Sequence, residues 1–120
     1  MEQVVQSAET VFQHHIQALL ENDLEELLKD YTEDSVLLTP SDSLKGITAI
    51  SNFYSWAISA LPKGQTQLEL LQQFIVDDKV FIVWKAESPF VSIPIGGDTF
   101  DIKSGKIVFQ SVVVQIIQKS

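Results

Sequence analysis

Everything after Gly64 is β in character, and this run of strands limits the folds open to the chain more than any other feature. Four segments read as strands: Gln67 to Val76, Val80 to Glu87, Ser92 to Lys103 and Lys106 to Ile117. Asp77-Asp78 and Ser104-Gly105 are two-residue connections built from residues that tolerate positive φ, so the neighbours they join are expected to pair antiparallel. Gly96-Gly97 interrupts one long strand and predicts a bulge or bend there.

The first half has helical spacing. Val5, Ala8, Phe12, Ile16 and Leu19 draw one apolar stripe along a helix from Val4 to Leu20. Asp23 with Glu26 three residues on forms a capping-box signal for a short second helix, Leu24 to Tyr31. Ser35 to Leu38 reads as a buried strand stopped by Thr39-Pro40, and Ser41 to Lys45 as a loop. After Gly46, the spacing of Ile47, Ile50, Phe53, Tyr54, Ala57, Ile58 and Leu61 predicts a third helix, ended by Pro62-Lys63-Gly64. Helix, helix, strand, helix and four meandering strands make an α+β domain with the helices segregated on one face of the sheet.

The chain's 120 residues suit a single domain with a proper core, and nothing marks a linker, repeat or domain boundary. A formal charge of −8 disfavours nucleic acid, whose phosphates are bound by lysine and arginine. With no cysteine there is no disulfide, thiolate nucleophile or Cys-ligated zinc. Met1-Glu2-Gln3 lacks the basic start of a signal peptide and no apolar run is long enough to span a membrane, which predicts a cytoplasmic protein. The Val80 strand is apolar on both faces, with Val80, Ile82, Trp84 and Ala86 on one and Phe81 and Val83 on the other. Helices cover one side only, so a homodimer joined through the sheet is expected.

Asp23-Leu24, Asp34-Ser35-Val36, Pro40, Gly46, Ala49-Ile50, Phe53-Tyr54, Asp98-Thr99-Phe100, Gly105-Lys106-Ile107 and Gln110 together carry a resemblance to the SnoaL-like, nuclear-transport-factor-two-like superfamily, over nearly the whole chain. The resemblance implies a cone-shaped α+β barrel: three N-terminal helices packed on a strongly bent, mixed but mainly antiparallel sheet. A small-molecule pocket would open between helix one and the sheet. It leaves function open, because the superfamily holds isomerases, polyketide cyclases, dehydratases, dioxygenase subunits and non-catalytic binding modules.

Asp98 shares its strand face with Phe100 and Ile102, while Thr99, Asp101 and Lys103 point the other way. Facing a pocket, it would titrate late and handle a proton near neutral pH; alternatively it caps the amides of Gly96-Gly97. Here the chain resembles ketosteroid isomerase, in which a strand aspartate followed by phenylalanine helps stabilise an oxyanion. His15 lies about 60° from the centre of the helix-one stripe and His14 about 160° away, so only His15 can look inward. It falls where isomerase-like members carry a helix-one tyrosine; the plainer reading is a core-edge histidine satisfied by water. The adjacent pair cannot chelate one ion, and no metal site is expected. Thr39 stands where ketosteroid isomerase has its aspartate base before the proline, which argues against the steroid isomerase reaction, and Asp42 nearby reads as a turn residue.

Phe12, Phe53, Trp56, Trp84 and Phe100 could wall the pocket or belong to the core, and Gln110, grouped by alternation with Val108, Val112 and Val114, needs Asp98 or a ligand as partner. No nucleophile elbow, phosphate loop, dinucleotide fingerprint or zinc spacing occurs, and no cofactor is expected. Two readings follow: a cofactor-free acid–base enzyme using Asp98 and His15 on a small, partly apolar compound, or a ligand-binding or dimerisation module without catalysis.

Overall fold

A computed structural model describes residues 7–119. Helix α1 spans Ala8–Leu20, started by Ser7, whose hydroxyl accepts from the Thr10 amide at 3.1 Å. The expected earlier start at Val4 and the stripe residue Val5 lie outside the described residues. Asn22, at φ 57°, closes the helix with the Asp23 amide donating back to the Ala18 carbonyl at 2.9 Å. Its side chain then ties this end of α1 to the far end of the third helix, donating to the Leu61 carbonyl at 3.1 Å and accepting from the Lys63 amide.

Helix α2, Leu24–Leu28, is capped by Asp23 as expected but stops short of Tyr31. Its last turn tightens: the amides of Lys29, Asp30 and Tyr31 each donate three residues back. Strand β1 is Val36–Leu38, without Ser35, whose buried hydroxyl donates sideways to the Ile107 carbonyl at 2.6 Å. The expected loop holds a second strand, β2, Ser43–Lys45, paired antiparallel with β1. Helix α3 covers Ile47–Ala60, with its first amide capped by Glu33 across the loop at 2.9 Å.

Strands β3 (Gln67–Val76), β4 (Lys79–Glu87), β5 (Val91–Lys103) and β6 (Lys106–Gln118) follow as a meander. The six strands form one sheet in the order β2-β1-β6-β5-β4-β3, antiparallel throughout except for the parallel pair β1 and β6. The sheet is mixed and mainly antiparallel as expected, but it is open, with β2 and β3 at its edges rather than closed as a barrel.

Register breaks supply its curvature. Leu71 is extra between Leu70 and Gln72, and β5 shifts register against both neighbours between Ser92 and Gly96, around Pro94. The glycine pair itself stays in register, Gly96 opposite Trp84 and Gly97 opposite Val83, so the break lies just before it. Gly96 has another reason to be glycine: a Cβ there would sit 2.5 Å from the Trp84 ring. The inner face of the sheet carries Val80, Ile82, Phe100, Ile102, Ile107 and Val112 into one core with Val11, Phe12 and Leu27 from the helices. Val108 is extra opposite Asp101 and Ile102, which turns Ile107 and Gln110 inward together and takes Val108 off the face that simple alternation assigned it.

Candidate functional site

Between α1, α3, the β1–β2 turn and the inner face of the sheet lies a cavity of about 460 Å³. This is the size range of small-molecule sites. His15, Ile16 and Leu19 come from α1; Phe53, Tyr54 and Trp56 come from α3. The sheet contributes Trp84, Asp98, Phe100 and Gln110 among aliphatic residues, and Thr39 to Asp42 line the space from the turn. Every expected site residue except Phe12 therefore meets one volume. Phe12 is a correction to the expected wall: it is buried in the core, edge-on to Phe100 with ring centroids 5.5 Å apart. Trp56 is 45% exposed, so it stands on the rim.

The polar groups join end to end. Trp84 donates its indole N–H to Asp98 Oδ1 at 2.7 Å, and Gln110 donates Nε2–H to Asp98 Oδ2 at 2.8 Å. The same amide donates to the Tyr54 hydroxyl at 2.9 Å, while its oxygen accepts from the hydroxyls of Tyr31 and Tyr54. The Tyr31 and Tyr54 hydroxyls are 3.1 Å apart, and Tyr54 reaches His15 Nε2 at 3.4 Å. Asp98 is thus held by side chains from β4 and β6, not by the amides of Gly96-Gly97. A lone glutamine on an apolar strand face signalled the need for a partner, and Asp98 is that partner.

Burial sets the ionisation of the cluster. It pushes the Asp98 carboxyl up to about 6, against the two hydrogen bonds that favour the carboxylate. His15 is driven the opposite way, down to about 3, by burial first and by nearby His14 second, so its imidazole is neutral. His15 Nδ1 is buried without a hydrogen-bond partner. Tyr31 and Tyr54 are both raised, chiefly by burial, and stay protonated.

Thr39 lines the cavity and braces its mouth: its hydroxyl oxygen accepts from the amides of Ser41 at 3.3 Å and Asp42 at 2.9 Å. Asp42 lines the cavity as well as serving that turn. Among the described residues no group of three or more His, Cys, Asp or Glu side chains is placed to hold a metal ion.

Residues 12–110 match the sequence profile of the SnoaL-like domain, most of the chain and all of the polar cluster. The chain belongs to the SnoaL-like family. Solved structures agree on the fold of this SnoaL-like domain. An NTF2-like protein of unknown function from Cytophaga hutchinsonii superposes with a TM-score of 0.74 at 13% identity, over 96% of this chain and 95% of that one. A candidate polyketide cyclase from Sinorhizobium meliloti gives 0.71 at 22% identity, over 85% and 92%. A candidate ketosteroid isomerase from Kribbella flavida gives 0.73 at 11% identity, over 97% and 84%. Identities this low establish the cone-shaped α+β fold alone. No curated protein matches the SnoaL-like chain in sequence.

Sequence reasoning missed Tyr31, Tyr54 and the surroundings of His14. Tyr54 was hidden in the α3 stripe, where it read as core, and Tyr31 lies beyond the end of α2. His14 does point away from the cavity, but its ring nitrogens lie 2.7 Å from Asp30 and 2.8 Å from Glu26, stitching α1 to α2 and to the turn that follows it. Those two carboxylates, Asp30 first, raise its pKa.

Proposed function

We propose that this SnoaL-like domain binds a small, mostly apolar compound in the cavity and acts on it by cofactor-free acid–base chemistry of the isomerase, cyclase or dehydratase type. The observation that carries this reading is Asp98, a cavity-lining carboxyl held between two donors and titrating at about 6. Such a group can take a proton from one atom of a bound molecule and return it to another, leaving the protein unchanged. His15, neutral and joined to Asp98 through Tyr54 and Gln110, orients the polar end of the site.

Screening metabolite mixtures by thermal shift identifies the compound, since a ligand of the folded state alone raises the melting temperature. Turnover is then followed by NMR. Loss of a general acid–base group lowers rate by about a hundredfold or more, so Asp98→Asn is expected to fall by at least that factor. If Asp98→Asn and His15→Ala both turn the compound over at the wild-type rate, the acid–base assignment is wrong. A second reading, binding without catalysis, is favoured by Thr39, which serves the turn in the place where isomerases of the family carry a base. Stabilisation by a compound that the wild type leaves chemically unchanged would establish it.

We also propose that the partner is a second copy of the chain. The outer face of the sheet presents Phe74, Val76, Phe81 and Val113, exposed by 56%, 64%, 42% and 69%, and Phe74 and Phe81 stack with centroids 6.4 Å apart. No helix covers this face among the described residues, and an exposed apolar surface of this kind is closed most simply by its own twofold mate. Sedimentation at micromolar concentration should show a dimer that Phe81→Glu converts to monomer. A wild-type monomer would sink the proposal.

A further inference from the structure

Among the described residues, the cavity wall carries no positive charge. All eight basic residues of the chain are lysines, and none of them lines the cavity. Six of them are paired with carboxylates on the surface. The charged residues that do line it are Asp98 and Asp42, in a protein of net charge −8. A ligand bearing carboxylate or phosphate would enter against this field with no counter-ion to meet it.

The hydrogen-bond wiring narrows the choice further. Both neighbours of Asp98 approach it as donors, Trp84 with its indole N–H and Gln110 with its amide N–H. As the Gln110 amide stands, its oxygen accepts from Tyr31 and Tyr54 and its nitrogen is turned to Asp98. With Trp84 and Gln110 both placed as donors, these bonds favour the ionised carboxylate against its burial, and each Asp98 oxygen keeps a second lone pair for a donor. Indole and phenyl rings of Trp84, Trp56, Phe53 and Phe100 complete the walls, and aromatic faces attract cations.

We infer that the natural ligand is a lipophilic amine, bound as its ammonium with an N–H donated to Asp98. This rests on the reading that the cavity binds a small molecule, and deepens it by fixing the polar head. An ammonium supplies the charge that the protein withholds, and a charge-assisted hydrogen bond in a partly desolvated site is stronger than a neutral one. The aliphatic remainder fills the apolar wall.

The two tryptophans of the chain both line the cavity, so tryptophan emission reports its occupancy directly. Three probes of one shape that neither absorb nor emit with tryptophan isolate the head group: 1-adamantanemethylamine, 1-adamantanemethanol and 1-adamantanecarboxylate. With wild-type protein near pH 7.5 the amine should bind about tenfold or more tighter than the alcohol, with the carboxylate weakest. Asp98 is bonded by Trp84 from β4 and Gln110 from β6, and the cluster continues from Gln110 to Tyr54 of α3, Tyr31 of the segment after α2 and His15 of α1. None of these changes charge between about pH 5 and 7.5, and an alkylammonium stays protonated there, so the loss of amine preference expected near pH 5 reports Asp98 itself.

Asp98→Asn should abolish the preference at both pH values, whereas Asp42→Asn should preserve it. If the alcohol binds as tightly as the amine near pH 7.5, or if Asp42→Asn removes the preference and Asp98→Asn does not, the ammonium assignment is overturned while the binding reading stands. If none of the three probes alters the emission or the melting temperature, both fall.

Discussion

Acidification from about pH 7 to pH 4 is expected to move His15→Gln and Asp98→Asn in opposite directions relative to the wild type, because two buried groups on one cavity titrate against each other. An exposed histidine takes its proton at 6.5, but folding holds His15 down to about 3. Its contribution to stability is therefore present above 6.5 and lost as the pH falls toward 3, by up to about 5 kcal/mol. Asp98 has the reverse sign. Its folded value of about 6 stands above the ordinary 3.8, so its contribution is complete below 3.8 and lost as the pH rises through about 6. That loss amounts to about 3 kcal/mol.

In the wild type the two nearly offset between about pH 6.5 and 4, where His15 loses what Asp98 regains. Urea unfolding at half-unit steps of pH tests this by difference, since the raised His14 and the surface carboxylates act alike in all three proteins. Asp98→Asn should lose stability on acidification faster than the wild type, by about 3 kcal/mol, and His15→Gln should gain on it by about 3 kcal/mol by pH 4. Parallel profiles for wild type and Asp98→Asn would mean that residue 98 titrates like an exposed carboxylate and lies outside the cavity wall.

The sequence laid out the fold well where periodicity had room to repeat. Ten- and thirteen-residue strands and a fourteen-residue helix display enough cycles to declare their faces, and Asp98, Phe100 and Ile102 turned inward together as alternation requires. Short pieces gave no such signal. Strand β2 is three residues, Ser43–Lys45, with a half-buried Leu44 between exposed neighbours, and its pairing with β1 is a tertiary fact. Bulges defeated alternation locally, as at Val108, because one inserted residue inverts every face beyond it.

The site was legible in its isolated polar residues and opaque in its tyrosines. A carboxylate or amide on an apolar strand face is conspicuous, whereas tyrosine within a helical stripe is indistinguishable from core until the distant hydroxyl or amide it reaches is known. Tyr54 meets Gln110 across 56 positions and Tyr31 meets it across 79, separations that no local pattern encodes.

Gln110→Leu is the substitution expected to unravel that cluster. Leucine nearly matches the volume but makes no hydrogen bond, and residue 110 is 1% exposed, so solvent cannot replace what is lost. Asp98 would keep Trp84 alone, and Tyr54 would lose the amide donor, although the Tyr31 and Tyr54 hydroxyls still have each other at 3.1 Å. Leaving a buried charge short of one donor and a hydroxyl short of its partner is expected to destabilise the fold by about 4 kcal/mol near pH 7.5. Much of that cost belongs to the charge: without the Gln110 bond the Asp98 carboxyl should climb further above 6, and near pH 4.5, where it is protonated, the cost should shrink to about 2 kcal/mol. Equal destabilisation at both pH values would show that Gln110 supports the tyrosines but does not hold Asp98 as a carboxylate. In that case the acceptor end of the cavity, on which the binding of an ammonium depends, would have no structural basis.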